Sequence, residues 1–223
     1  MNCQYMKMIV VASLDIMLWV PAAQADDLLT GDTRFACEAI LCLSSGERPG
    51  ECGPALNRYF GINEKFWKDT VSARRNFLSL CPAASDLGMP GLVDTIASAA
   101  GKCTAEVLNR VNKRQLTLFI EEDKGLRRYK DDGKWRWTRE PLRYTKRVTV
   151  ITDDTPNYCR TYQGHGWTWQ VGATYRGTPP PTGSKFSIDE DKHKFGYGIT
   201  IKGKSDQVAA QIRRIEDSGR WLD

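Results

Sequence analysis

The usual catalytic signatures are absent from this chain. It contains no G-x-S-x-G, no H-E-x-x-H and no glycine loop of the phosphate-binding kind. Only two histidines occur, His165 and His193, too few for a His-rich metal site. No two cysteines stand in C-x-x-C spacing, which argues against zinc. Beyond the N-terminus no apolar run is long enough to cross a bilayer, so the expectation is a soluble or peripheral protein. Nothing in the sequence asks for a metal or a small-molecule cofactor, and the expectation leans away from an enzyme.

What is present begins with an export signal. Lys7 supplies a positive n-region, Met8 to Val20 a short apolar core, and Pro21-Ala22-Ala23-Gln24-Ala25 a small-residue cleavage site. Asp15 interrupts the apolar core, yet Ala23 and Ala25 fit the A-x-A pattern, so residues 1–25 read as a signal peptide cleaved after Ala25. Cleavage removes one of seven cysteines. Cys37, Cys42, Cys52, Cys81, Cys103 and Cys159 remain, an even number in an exported chain, which implies three structural disulfides in an oxidising compartment. Six cysteines permit fifteen pairings. One conjectural set joins Cys42 to Cys52 across the first interhelical turn, Cys37 to Cys81 across the outer helices, and Cys103 to Cys159 between the helical part and the sheet. With every thiol paired, a catalytic Cys–His pair is disfavoured.

At 223 residues and 41% hydrophobic content the chain can bury a real core, as one medium domain or two small ones. A helix is expected from about Arg34 to Ser45, with Asp32 or Thr33 as N-cap and Gly46 as C-cap. Its run Ala39-Ile40-Leu41-Cys42-Leu43 is apolar nearly all round and predicts a central, buried helix. A short helix follows from Cys52 to Phe60. A third, Asn63 to Leu80, has the stripe Phe66, Thr70, Ala73, Phe77 and Leu80, with Arg74 and Arg75 turned toward solvent and Pro82 as terminator. Gly91 to Ala100 and a helix capped by Thr104 complete a helical, cysteine-rich domain over 26–114.

Near Gln115 the apolar period changes from 3.6 to 2, predicting an antiparallel β region over 115–204. Leu116, Leu118 and Ile120 form one strand face. Arg127–Tyr129 and Trp135–Trp137 flank an Asp-Gly hairpin turn. Arg143–Thr152, Trp167–Tyr175 and Phe195–Ile201 read as further strands, with Trp167 and Trp169 assigned to the sheet core because their whole face is apolar. A last amphipathic helix over 205–223 carries Val208, Ile212 and Ile215 and ends in Trp221-Leu222. The fold class expected is therefore α+β: a disulfide-pinned helical domain, an antiparallel sheet region and a C-terminal helix.

The formal charge of +5 is unevenly placed. Lys124–Arg147 holds ten basic and three acidic residues, a local +7 that leaves about −2 for the rest. Within it Arg127, Arg128, Lys130, Trp135, Arg136 and Trp137 combine cations with aromatic platforms, a composition that suits an anionic surface, nucleic acid or an acidic protein; the blander reading is a solvated strand-and-turn surface. Glu38 and Glu51 are the carboxylates worth testing as acids in glycoside cleavage. The alternative for each is an ordinary helix-surface glutamate, or one paired with Arg48 or Arg58.

One stretch has a wider likeness. Cys37-Glu38-Ala39-Ile40-Leu41-Cys42-Leu43-Ser44-Ser45-Gly46 is followed by Arg48-Pro49, Glu51-Cys52, Pro54, Leu56, Arg58-Tyr59-Phe60-Gly61-Ile62, Ala73-Arg74 and Phe77-Leu78-Ser79-Leu80-Cys81-Pro82. This pattern resembles the TrbM/KikA family of conjugal transfer proteins, exported proteins encoded with the mating-pair-formation (type IV secretion) genes of conjugative plasmids. The likeness covers about residues 34–82, with no such support claimed beyond about 115. The likeness implies a periplasmic accessory of plasmid transfer; the leading expectation is action through protein contacts with the secretion apparatus or other envelope proteins, with the basic face Lys124–Arg147 as one contact surface. It supplies no catalytic residues. Cys37, Cys42, Cys52 and Cys81 match as structural positions, and Glu38, Arg48, Glu51, Arg58 and Tyr59 as surface contacts or internal pairs. The competing expectation is a protein that binds or cleaves peptidoglycan, with Glu38 or Glu51 as acid. A weaker third is binding of DNA or anionic lipid by the basic segment.

Overall fold

The computed structural model describes residues 29–189 and 194–223. The expected signal peptide, its cleavage site, Cys3 and His193 lie outside those residues.

Helix α1 (Gly31–Ser44) buries Ala36, Ala39, Ile40 and Leu43 along one stripe. Leu41 is 72% exposed, so the expectation of a helix buried all round is corrected: spacings of three and four select a single face. The helix starts at Gly31, with Thr30 in the N-cap position and no side-chain cap bond. Asp32 instead sits in the first turn and accepts two hydrogen bonds from Arg58, at 2.9 and 2.7 Å. Gly46 is not a left-handed cap either. It lies against the 165–170 segment, where a Cβ would stand 2.1 Å from the Gln170 carbonyl oxygen. A 3-10 turn (Gly50–Cys52) leads into α2 (Gly53–Gly61). Helix α3 (Trp67–Leu78) is shorter than its apolar stripe implied, because Phe66 is extended backbone and Phe66 and Leu80 are exposed. Then come a 3-10 turn (Pro82–Ser85), α4 (Met89–Ala99) and α5 (Ala105–Val111), the last capped by Thr104, whose hydroxyl accepts from Val107 N–H.

Among the described residues eight strands and two helices follow: β1 (Lys113–Asp123), β2 (Arg127–Asp131), β3 (Lys134–Thr138), β4 (Leu142–Ile151), α6 (Asn157–Gln163), β5 (Thr174–Arg176), β6 (Ser184–Asp189), β7 (Lys194–Lys204), α7 (Ser205–Glu216) and β8 (Arg220–Leu222). The main sheet runs β4-β1-β7-β6, and its β1–β7 pair is parallel, with Leu118 opposite Ile199. The sheet is thus mixed, although its other pairs are antiparallel. Helix α7 covers one face, packing Val208, Ile212 and Ile215 on Leu116, Leu118, Ile120, Val148, Val150 and Ile201. The α+β arrangement of a disulfide-pinned helical part, a sheet and a C-terminal helix is as the sequence predicted.

A second core belongs to the helices, and the chain returns to it after β4. Cys159, Tyr162, Val171, Ala173 and Trp221 are all buried there with Leu43, Leu78 and Ile96. The disulfides are Cys37–Cys81, Cys42–Cys52 and Cys103–Cys159. Cys159 sits on α6, an element the sequence pattern did not signal, and α6 packs on α4. The third bridge therefore closes within the helical lobe and does not tie it to the sheet.

Three other expectations are corrected. Residues 167–173 are not a strand: Gln170 (φ 50) and Gly172 (φ 74) are left-handed, which breaks the extended run, and Trp167 and Trp169 are 62% and 66% exposed. Trp221 is not on the last helix but on β8, where it pairs with Tyr175 of β5 and donates from Nε1 to the Thr152 carbonyl at 3.1 Å. Arg74 does not reach solvent. It is 6% exposed beside the rings of Tyr59, Phe60 and Trp67, and donates to the carbonyls of Ile62 (3.1 Å) and Ala100 (3.4 Å). A guanidinium is weakly hydrated and planar, so aromatic faces and carbonyls can replace its water.

Candidate interaction surfaces

Strands β2 and β3 form their own two-stranded ribbon, closed by Asp132 (φ 46) and Gly133 (φ 77). Two successive left-handed residues are what a tight hairpin turn with the strands' own twist requires. The ribbon interrupts the chain between β1 and β4, which pair from Lys113–Ile151 to Glu122–Leu142. It therefore leaves the sheet at the end opposite α5, about 35 Å along β1 from the helical lobe at the usual strand rise.

Register divides the six residues singled out in the sequence into two faces. Arg128 lies opposite Trp137 and Lys130 opposite Trp135, so these four share one face. Arg127 and Arg136 belong to the other, with Tyr129, Asp131 and Lys134. Trp135 and Trp137 are 60% and 62% exposed, and the Arg128 guanidinium lies 4.5 Å from the Trp135 ring. On the opposite face Arg136 is paired with Asp131 at 3.0 Å, while Arg127 donates to the Glu140 carbonyl and fastens the base of the ribbon.

A second exposed aromatic surface lies on the helical lobe. The Trp169 backbone is bonded on both sides to the end of α1: its N–H donates to the Ser44 carbonyl and its carbonyl accepts from Gly46 N–H, each at 2.8 Å. Trp167 is held two residues earlier by a bond from its N–H to His165 Nδ1 at 3.2 Å. Its indole edge lies over Gly88, next to Leu87, which is 99% exposed. Two indoles and a leucine thus stand in solvent, and the backbone of Trp169 is tied on both sides to the end of α1. Alternation had sent the tryptophans inward, and only the glycines at 164, 166 and 172 hinted at a loop.

The polar residues of the motif are mostly engaged. Glu38 pairs with Arg34 at 2.6 Å, not with Arg48 or Arg58. Glu51 is exposed on the 3-10 turn before α2. Arg58 holds Asp32, keeping that carboxyl below its usual range, and lies over the Phe77 ring. Tyr59 is fully buried and donates to the Ile96 carbonyl at 3.0 Å; burial drives its hydroxyl pKa upward. Tyr162 donates to the Leu43 carbonyl and is pushed up to about 12, again by burial and against the opposing effect of Arg48. A broad cleft of about 990 Å³ opens beside Gly46, lined by Glu47, Asp153, Arg176 and Asp223 among others, and neither Glu38 nor Glu51 borders it. Among the described residues no three His, Cys, Asp or Glu are grouped to hold a metal ion, and no helix is long and apolar enough to cross a membrane.

Comparison with known proteins places this architecture in a class. The TrbM family model matches residues 28–195, most of the chain, and the protein belongs to that family of conjugal transfer proteins. The match runs through the ribbon and β6 to the start of β7, well past the stretch of 34–82 that carries the sequence likeness. No curated protein and no solved structure matches the chain.

Proposed function

We propose that the protein is exported to the periplasm, with residues 1–25 removed, and serves there as an accessory of the conjugative type IV secretion apparatus, working by protein contact and not by turnover. Membership of a conjugal transfer family supplies the process. Three disulfides suit an oxidising compartment and give the helical lobe a fixed shape.

The observation that carries the contact reading is the Trp167–Trp169 segment. Exposed apolar surface on mobile backbone is common, but two exposed indoles, one beside the turn of a bare leucine and the other on backbone bonded to the end of a disulfide-bearing helix, are what a preorganised protein interface offers. Glu38 and Glu51 favour no hydrolytic role, the one being paired with arginine and the other standing exposed on the 3-10 turn before α2.

Two experiments test the reading. Osmotic-shock fractionation should release the protein with periplasmic markers, and retention in the cytoplasm would refute export. A peptidoglycan zymogram should stay blank; lysis abolished by Glu38→Gln or Glu51→Gln would replace the contact reading with an enzymatic one.

A further inference from the structure

We propose that the β2–β3 ribbon lays its tryptophan face on an anionic phospholipid surface. The face comprises Arg128, Lys130, Trp135 and Trp137, two cations and two indoles, with no carboxylate among its strand positions. The ribbon's strand carboxylate, Asp131, is on the reverse face and already paired with Arg136. The ribbon thus puts both indoles on a face with two cations and no carboxylate; the reverse face, with Arg127, Lys134 and Arg136 against Asp131, is also net positive but carries no tryptophan.

The chemistry of the face matches the bilayer boundary. Indoles prefer the headgroup level, where the ring is in apolar surroundings and the N–H is wet. Arginine and lysine beside them meet lipid phosphates, and Arg128 over Trp135 places a cation where an indole would enter. The shape matches as well. The ribbon is a two-stranded projection whose main packing is strand on strand, and none of the main clefts reaches it. A single-stranded nucleic acid would want a positive groove tracking its backbone onward. Here the net positive charge is concentrated in the 124–147 segment, and the remainder of the chain sums to about −2. A plane of headgroups needs only the one face.

The proposal adds a second attachment to the proposed function: the helical lobe would hold a protein partner while the ribbon, at the far end of β1, touches membrane. It does not depend on that function, because purified protein and vesicles suffice to test it, and failure here leaves the fractionation and zymogram tests of that function standing. The experiment is cosedimentation of the purified protein with vesicles of phosphatidylcholine alone, or of phosphatidylcholine and phosphatidylglycerol in equal parts, with a single-stranded oligonucleotide as a separate probe. Binding is expected to the anionic vesicles, to weaken as salt rises, and to fall about thirtyfold in Arg128→Gln/Lys130→Gln. Trp135→Ser/Trp137→Ser should abolish quenching of tryptophan emission by brominated phospholipid. Because the main packing of the ribbon's strands is with each other, both variants should unfold at the wild-type temperature. No binding by the wild type, equal binding by the variants, or binding of the oligonucleotide in place of the vesicles overturns the proposal.

Discussion

Removing Cys103–Cys159 should cost more than removing Cys42–Cys52, and the difference follows from the lengths of chain that each bridge closes. The bridges span 56 and 10 residues. Loop-closure entropy then gives about 4.2 kcal/mol for the long loop and about 2.7 for the short one. Cys37–Cys81, spanning 44 residues, falls close to the first, at about 4.0 kcal/mol. Alanine is the right replacement, since Cys103 and Cys159 are 2% and 0% exposed and a buried serine hydroxyl would add a cost of its own. Losing about 4 kcal/mol takes a large share of an ordinary domain's stability. The long bridge also holds α6, and with it Tyr162 and the backbone leading to Trp167 and Trp169, on the helical core. The assay is urea unfolding of the two double-alanine variants in non-reducing buffer, followed by far-UV circular dichroism. A short-loop variant less stable than the long-loop variant, or a long-loop loss below about 1 kcal/mol, would refute the reasoning.

Arg74→Met keeps the volume but leaves the Ile62 and Ala100 carbonyls without a donor, so it should destabilise the helical lobe by about 2–4 kcal/mol in the same assay, with Arg74→Lys intermediate because a point charge cannot reproduce the fork. A neutral result for the methionine variant would mean that burial of the cation costs as much as its contacts return. Alkaline pH should also unfold the protein. Burial raises the Tyr59 and Tyr162 hydroxyls, so the folded chain keeps two protons that the unfolded chain releases near pH 10. Their contribution is complete below about pH 10 and declines as pH rises toward about 12, the value for Tyr162. Spectrophotometric titration should show two tyrosines ionising only with unfolding; free titration of every tyrosine near pH 10 would contradict the burial.

Legibility in the sequence tracked how local the determining physics is. Strict alternation over Leu116, Leu118 and Ile120, and the Asp-Gly turn at 132–133, depend on neighbours in the chain and were readable directly. The stripe Val208, Ile212 and Ile215 was equally plain. Alternation over Trp167–Tyr175 misled, because it says nothing about backbone sign: Gly172 is left-handed, and even a Cβ there would crowd Cys103 and Gln163. The burial of Arg74 needs rings from α2 and the start of α3, a meeting that no window of sequence reveals. The same holds for β1 and β7, whose parallel pairing joins residues some eighty positions apart, Leu116 with Tyr197 among them. Of the candidate surfaces, the ribbon's composition was legible, whereas its division into a tryptophan–cation face and a reverse face that holds Asp131 and no tryptophan required the register.

Plasmid transfer from a donor lacking the gene tests the central claim most directly. Supplying the wild-type gene in trans should restore transfer; supplying Trp167→Ser/Trp169→Ser, or a chain without residues 1–25, should not, although the tryptophan variant still accumulates with its disulfides formed. Transfer that is unchanged by the deletion, or fully restored by the tryptophan variant, would contradict a periplasmic protein that works through that face.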